Sequence, residues 1–333
     1  MPKIVKSSAP VRIDFGGSTL DLTPLVPSFP ANIVTNLAVS LRASVQCSRM
    51  KNGIFIEDAS AEQTYEFSGL ESLSEDKRLI LFYEPLKSMD IRGGIKIRYK
   101  TGSPFGAGLG GSSALLIALL QGLHIFQTGG PLDDTELVEN AAFIEKGIIG
   151  GPTGKQDYIS AVKGGLNAIR FRGKTIGIEP VPFDLEDLSK RLCVLFTGKP
   201  HFSGDNNFTI VNKVLNNDKE TIDGLKRLEE SSGAVYSALK KMDFKEIINS
   251  IDEEMKIRTE VLPSFTTPLI AELADYARRK GGVLKVCGAG GGGSVFMIFK
   301  DKIPEDFRDS ASALGALPLE CRPDMNGLAY SQD

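Results

Sequence analysis

The richest chemistry in the chain sits in one run, Gly102-Ser-Pro-Phe-Gly-Ala-Gly-Leu-Gly-Gly-Ser-Ser-Ala114, between a predicted strand and a predicted helix. Glycines let backbone amides converge on an anion, and a serine-capped helix start adds donors and the positive end of a dipole, which together make a phosphate cradle. A plain flexible turn would need fewer glycines. Gly106, Gly108 and Gly111 also satisfy G-x-G-x-x-G. A dinucleotide site, however, needs those glycines after the first strand of a βαβ unit and an acidic residue about 20 positions on, ending the next strand. Asp133 and Asp134 fall instead in a turn between two predicted helices. A Walker A loop fails too, because Gly154-Lys155 is followed by Gln156 and residue 149 is Ile. A second run, Gly288-Ala-Gly-Gly-Gly-Gly-Ser294, permits very close approach of its backbone to another loop or to a ligand, or it forms a structural hairpin.

The elements around these loops can be read from periodicity. Val11–Phe15 is a short strand running into Gly16-Gly17, and Val39 to Cys47 alternates with period two. Further strands are expected at 54–57, 64–67 and 94–99, with one helix over 76–88. From Ser112 an apolar run to about Phe126 reads as a buried helix, and a second helix runs from Asp133 to about Gly147. Strands at 165–171 and 192–196 flank a segment rich in Pro and acidic residues, which marks the domain boundary. Beyond it, helices over 206–216, 221–240, 244–259 and 268–280 precede strands at 283–287 and 295–299, a helix near 305–314 and a closing strand. The pattern is α+β in two domains, 1–180 and 181–333.

Composition excludes several classes. A chain of 333 residues is long enough for two cores, and 41% hydrophobic with 24% charged residues is not a disordered composition. The net charge of −3 provides no general attraction to nucleic acid or anionic lipid, so an anionic ligand must be held locally. Cys47, Cys193, Cys287 and Cys321 lack C-x-x-C spacing and only His124 and His201 accompany them, which rules out a zinc ribbon or finger. With no apolar run of signal or membrane-span length, the expectation is a cytoplasmic protein with reduced thiols and no membrane partner.

Three segments in this order resemble the GHMP kinase family, named for galactokinase, homoserine kinase, mevalonate kinase and phosphomevalonate kinase. Ala9-Pro-Val-Arg-Ile-Asp-Phe-Gly-Gly-Ser-Thr-Leu-Asp21 looks like the first motif, Pro104 to Ala114 like the phosphate loop P-x-x-x-G-L-G-S-S-A, and Lys285 to Ser294 like K-x-x-G-A-G-G-G-G. The likeness covers residues 9–299. It implies an N-terminal domain like ribosomal protein S5 domain 2, a ferredoxin-like C-terminal domain, and ATP with Mg²⁺ in the cleft between them. Arg12-Ile-Asp-Phe-Gly-Gly17, Gly151-Pro-Thr-Gly-Lys-Gln-Asp157 and Gly164-Gly-Leu-Asn167 are closest to D-glycero-D-manno-heptose 7-phosphate kinases and fucokinase-like sugar kinases. The Glu-His of mevalonate kinase and galactokinase is absent. Thr197-Gly198 fits the T-G position of the same subgroup.

The resemblance also implies roles. ATP would lie on Pro104, Gly106, Gly108, Leu109, Gly110, Gly111, Ser112, Ser113 and Ala114. Asp157 matches the catalytic aspartate, which accepts or orients the acceptor's hydroxyl proton; the plainer reading is a helix N-terminal aspartate. Arg12 would neutralise the transferring phosphate or lower the proton affinity of Asp157, unless it is an ordinary strand arginine. Glu145, with Ser113, would hold Mg²⁺, whose shell is otherwise filled by phosphate and water; a solvent-facing helix charge is the alternative. Ser112 serves as a phosphate donor or a cap. Asp21, Gly154, Gly288, Gly290 and Gly291 fall on the acceptor side, while Lys155, Lys199 and His201 are either ligand contacts or loop residues and His124 is structural. The expected partner is a small-molecule sugar or sugar phosphate, most like a heptose 7-phosphate, taken by a monomer or homodimer. The alternatives are another branch of the family, mevalonate-pathway or galactokinase-like, and a non-catalytic ligand sensor.

Overall fold

The computed structural model describes residues 4–173, 175–200 and 203–333. In chain order the elements are β1 (Ile4–Gly16), β2 (Val34–Arg49), β3 (Ile54–Asp58), β4 (Gln63–Phe67), α1 (Leu70–Leu73), α2 (Ile80–Ser88), β5 (Ile95–Lys100), α3 (Gly111–Thr128), α4 (Asp134–Ile149), α5 (Gln156–Lys163), β6 (Leu166–Arg172) and β7 (Thr175–Pro180). The second half adds α6 (Leu185–Arg191), β8 (Leu192–Phe196), α7 (Ser203–Leu215), α8 (Lys219–Lys241), α9 (Phe244–Val261), α10 (Pro268–Arg279), β9 (Gly282–Val286), β10 (Ser294–Phe299), α11 (Phe307–Ala313), β11 (Leu317–Leu319) and β12 (Ala329–Gln332).

Two sheets organise these elements, as the α+β expectation requires. The larger runs β12-β1-β2-β5-β3-β4, with β6 pairing the first part of β2 and β7 pairing β6; the smaller runs β11-β8-β10-β9. β1 shows why they meet. Its residues alternate between buried and accessible up to Ser8 and are buried without interruption from Ala9 to Gly16. A strand wet on one face alternates, and a strand covered on both faces does not, so the second unit covers β1 where the burial becomes continuous. Phe15 meets Phe296 of β10 there, with ring centroids 5.0 Å apart. The β1–β2 register shifts between Asp14 and Gly16, a bulge that redirects the chain into the Gly17 loop.

On the larger sheet α3 is apolar almost all round, with Ala114 to Leu120 all buried, and packs with α5 against β1 and β2. α4 lies beside it, capped by Asp133, whose carboxylate accepts from the amides of Thr135 and Glu136. The segment between β6 and β8, expected as the boundary, carries β7, paired with β6, and α6, which packs on the smaller sheet. The tail returns to the first sheet: β12 pairs with β1, and Arg42 fixes Asp324 at 2.5 Å while donating to the Ser8 carbonyl at 2.8 Å. No helix among the described residues is long and apolar enough to cross a membrane.

Candidate active site

The phosphate loop and the glycine run meet back to back. Ser294 N donates to the Ala107 carbonyl at 2.7 Å, and a Cβ on Gly293 would lie 2.9 Å from that oxygen. Gly108 and Gly288 cross so closely that a Cβ on Gly288 would stand 2.9 Å from the Gly108 carbonyl. A Cβ on Gly290 would enter the ring of Phe265 at 2.1 Å. Of the readings left by the sequence, close approach to other parts of the chain accounts for the missing side chains at Gly288, Gly290 and Gly293. Thr197 clips the same run, its N and Oγ1 donating to the Gly293 carbonyl at 2.9 and 2.8 Å.

α3 begins earlier than the expected serine cap. Gly110, in the left-handed conformation at φ 73°, holds the N-cap position, and Ser112 is the second residue of the helix. Glycine takes that conformation at least cost, and the first amides of a helix, which have no partner within it, are the groups that can hold an anion.

Arg12, on β1, ties this loop to a carboxylate. Its Nε and Nη2 donate to Asp157 Oδ1 and Oδ2 at 2.7 and 2.9 Å, a two-pronged pair, while Nη1 donates to the Gly108 carbonyl at 2.7 Å. Its own amide donates to the Leu109 carbonyl at 2.9 Å. Burial works against the guanidinium, but the charges of Asp157 and Asp14 overcome it and raise its pKa. Asp157 occupies the first turn of α5, and a Cβ on Gly110 would lie 3.1 Å from its Oδ2, so the carboxylate stands directly against the helix start of the phosphate loop.

Glu145 reaches the same helix start from α4. Ser112 and Ser113 hydroxyls lie 3.5 Å from its Oε1, and the buried Tyr158 phenol donates to Oε2. Burial raises its pKa to about 7, the hydrogen bond from Tyr158 opposing and the charge of Asp157 adding to the rise. A carboxylate oxygen beside two hydroxyls is an all-oxygen donor set, the kind a hard divalent ion takes, so these residues fit Mg²⁺ shared with phosphate.

Asp21 is the second carboxylate near Asp157. It is buried, accepts from the Gln156 amide at 3.3 Å, and burial with the charge of Asp157 raises its pKa to about 6. Gly154 makes room for it, since a Cβ there would fall 1.9 Å from Asp21 Oδ2.

Sequence reasoning missed a buried ionic cluster behind Asp21. Lys285 Nζ lies 2.9 Å from Glu254 Oε2 and 3.5 Å from Asp14 Oδ2, and Arg258 Nε donates to Glu254 Oε1 at 2.8 Å. Arg258 also donates to the Thr19 hydroxyl at 3.1 Å and the Ser18 carbonyl at 2.6 Å, holding Thr19 in the left-handed region at φ 80°. The available signal was spacing, because Glu254 and Arg258 continue the apolar stripe of Ile247 and Ile251 on α9. Lys155 is paired with Glu139 at 2.5 Å, and His201 lies outside the described residues.

Two family profiles match the chain: GHMP kinases N terminal domain over residues 77–165 and GHMP kinases C terminal over 235–316, together about half of it. The chain belongs to the GHMP kinase family. It is 25% identical over 322 residues to a bifunctional fucokinase/GDP-fucose pyrophosphorylase of Arabidopsis thaliana, covering 90% of this chain but 30% of that protein. It is 24% identical over 310 residues to a D-glycero-alpha-D-manno-heptose 7-phosphate kinase of Campylobacter jejuni, covering 89% of each. A crystal structure of a D-glycero-D-manno-heptose 1-phosphate kinase from Bacteroides thetaiotaomicron superposes with a TM-score of 0.76 at 20% identity over 99% of both chains, a likeness of fold. The two-domain α+β GHMP kinase architecture is therefore the fold of this chain, and a family phosphotransferase is what it encodes.

Proposed function

We propose that this GHMP kinase transfers the γ-phosphoryl group of ATP to a hydroxyl of a sugar or sugar phosphate, with a heptose 7-phosphate as the acceptor type. The observation that carries the reading is the Arg12–Asp157 pair, fastened to the Gly108 carbonyl at the edge of the phosphate loop. The likeness to heptose and fucose kinases points to the acceptor class.

Phosphoryl transfer asks a protein for positioning and charge stabilisation. The amides at the start of α3 would bind phosphate oxygens, and Asp157 would receive the proton of the acceptor hydroxyl as its oxygen attacks the γ-phosphorus. The bond from that phosphorus to the β-bridging oxygen breaks, and ADP leaves with the electron pair. Both Asp157 oxygens keep lone pairs beyond those used by Arg12. Asp21 would accept from a second acceptor hydroxyl. Glu145 and Ser113 would hold Mg²⁺, which when bound neutralises charge on the β- and γ-phosphates. The test is ADP release from ATP with Mg²⁺ across heptose 7-phosphates, unphosphorylated sugars and mevalonate. Turnover with heptose 7-phosphates is expected; turnover with mevalonate alone overturns the acceptor class, and tight ATP binding without turnover of any acceptor favours a sensor.

A further inference from the structure

Tyr158 has no part in the chemistry above, yet it is fully buried and its hydroxyl donates to Glu145, with Ser113 beside it. A buried phenol needs a hydrogen-bond partner, and a buried carboxylate needs donors, so each satisfies the other. The consequence is an asymmetry. Oε2 is occupied by the phenol, while Oε1 faces the hydroxyls of Ser112 and Ser113, each 3.5 Å away. Successive helix positions differ by about 100°. Asp157 and Tyr158 at the start of α5 therefore point apart, one to Arg12 and the other to Glu145.

We infer that Tyr158 is a positioning residue that ties up Oε2 of Glu145, leaves Oε1 on the side of Ser112 and Ser113 to face the metal, and thereby biases the site toward Mg²⁺ over Ca²⁺. This rests on the metal-binding reading of Glu145. Mg²⁺ keeps a tight octahedron at about 2.0–2.1 Å and readily takes one oxygen from a carboxylate, whereas Ca²⁺ at about 2.3–2.6 Å accepts more ligands and both oxygens of one carboxylate. Two-oxygen binding by Glu145 would disturb the Oε2 bond to the phenol, so Ca²⁺ loses much of the advantage such a ligand gives it. Removing the phenol oxygen while keeping the ring frees Oε2 and leaves the packing intact.

The test measures binding of a non-hydrolysable ATP analogue to the full chain, titrated separately with MgCl₂ and CaCl₂. In Tyr158→Phe the preference for Mg²⁺ over Ca²⁺ is expected to fall by about 10-fold, the scale of one hydrogen bond to a charged group. Glu145→Gln should lose most of the metal dependence, and adding Tyr158→Phe to it should change nothing further. Glu145→Asp withdraws the carboxylate from the phenol with Tyr158 in place and should also lose the preference. An unchanged Mg²⁺ to Ca²⁺ ratio in folded Tyr158→Phe or Glu145→Asp overturns the inference, as does an equal change with and without Glu145. If analogue binding by the wild-type chain ignores divalent ions, the metal reading of Glu145 falls and this inference with it. Failure to find a phosphoryl acceptor touches only the proposed acceptor, because no acceptor is used here.

Discussion

Replacing Asp21 by Asn should make the protein more stable in mildly basic solution and a worse catalyst. Asp21 is buried, and desolvation with the nearby charge of Asp157 lifts its pKa from 3.8 to about 6. Below the unfolded value the group is neutral in both states and exacts no penalty. Between 3.8 and about 6 the folded state holds the proton more tightly than the unfolded chain, so stability falls as pH rises, and above about 6 the whole cost of a buried anion is present. A shift of about two units corresponds to roughly 3 kcal/mol. Asn keeps the shape and an oxygen for the Gln156 amide without the charge. Thermal melts of wild type and Asp21→Asn, run in parallel from about pH 4 to 8, should show the variant melting several degrees higher at the basic end. The gap should close toward pH 4. Titrating groups that do not interact with Asp21 cancel in the difference. A gap that does not depend on pH, or a variant less stable than wild type at pH 8, refutes the reasoning. Turnover should fall at the same time, since an ionised Asp21 is what would accept from the acceptor.

Asp157→Asn should lower kcat by about 10²-fold or more with little change in nucleotide affinity, and its defect should combine less than additively with that of Arg12→Ala; wild-type turnover in Asp157→Asn would mean that positioning alone carries the reaction. Gly108→Ala places a Cβ 2.8 Å from the Cys287 carbonyl at φ +70°, so nucleotide binding measured by titration should weaken by roughly 10-fold, on the scale of about 1–3 kcal/mol of strain. Equal weakening of acceptor binding would indicate general damage instead. Glu254→Gln leaves Lys285 and Arg258 buried without their shared counter-charge and should cost about 3–5 kcal/mol. Unchanged denaturant unfolding would show that Asp14 and the hydroxyls of the loop suffice.

The glycine-rich loop leading into α3 was legible as a loop and helix start because backbone demands are written in residue type: glycine at several positions before an apolar run has few physical meanings. Arg12, Asp157, Glu145 and Asp21 were legible only through likeness of motif, because residues so far apart in sequence carry no local signal of meeting. The role of the second glycine run stayed open between loop packing, ligand contact and a structural hairpin, since a glycine reports that something approaches and not what does. Tyr158 could not be read at all. Its hydroxyl partner lies on another helix, and a tyrosine in a short amphipathic stretch reads as core. Thr19 shows the opposite limit, for nothing in Ser18-Thr19-Leu20 announces a left-handed residue until Arg258 is seen to hold it.

The closing of the first sheet by the tail has a consequence for the nascent chain. β1 is synthesised well ahead of β12, yet the outer edge of its Val5–Ser8 stretch is paired by β12, and its neighbour β2 is latched through Arg42 to Asp324. At about 5–20 residues per second, synthesis leaves that edge open for roughly a quarter of a minute to a minute after β2 has formed its hairpin with β1. An open strand edge is a template for foreign strands. The alternating Lys6 and Ser8 on the accessible face of β1 keep that interval from presenting an apolar ribbon. A ribosome that stalls before residue 324 would therefore hold a sheet that is built but unsealed.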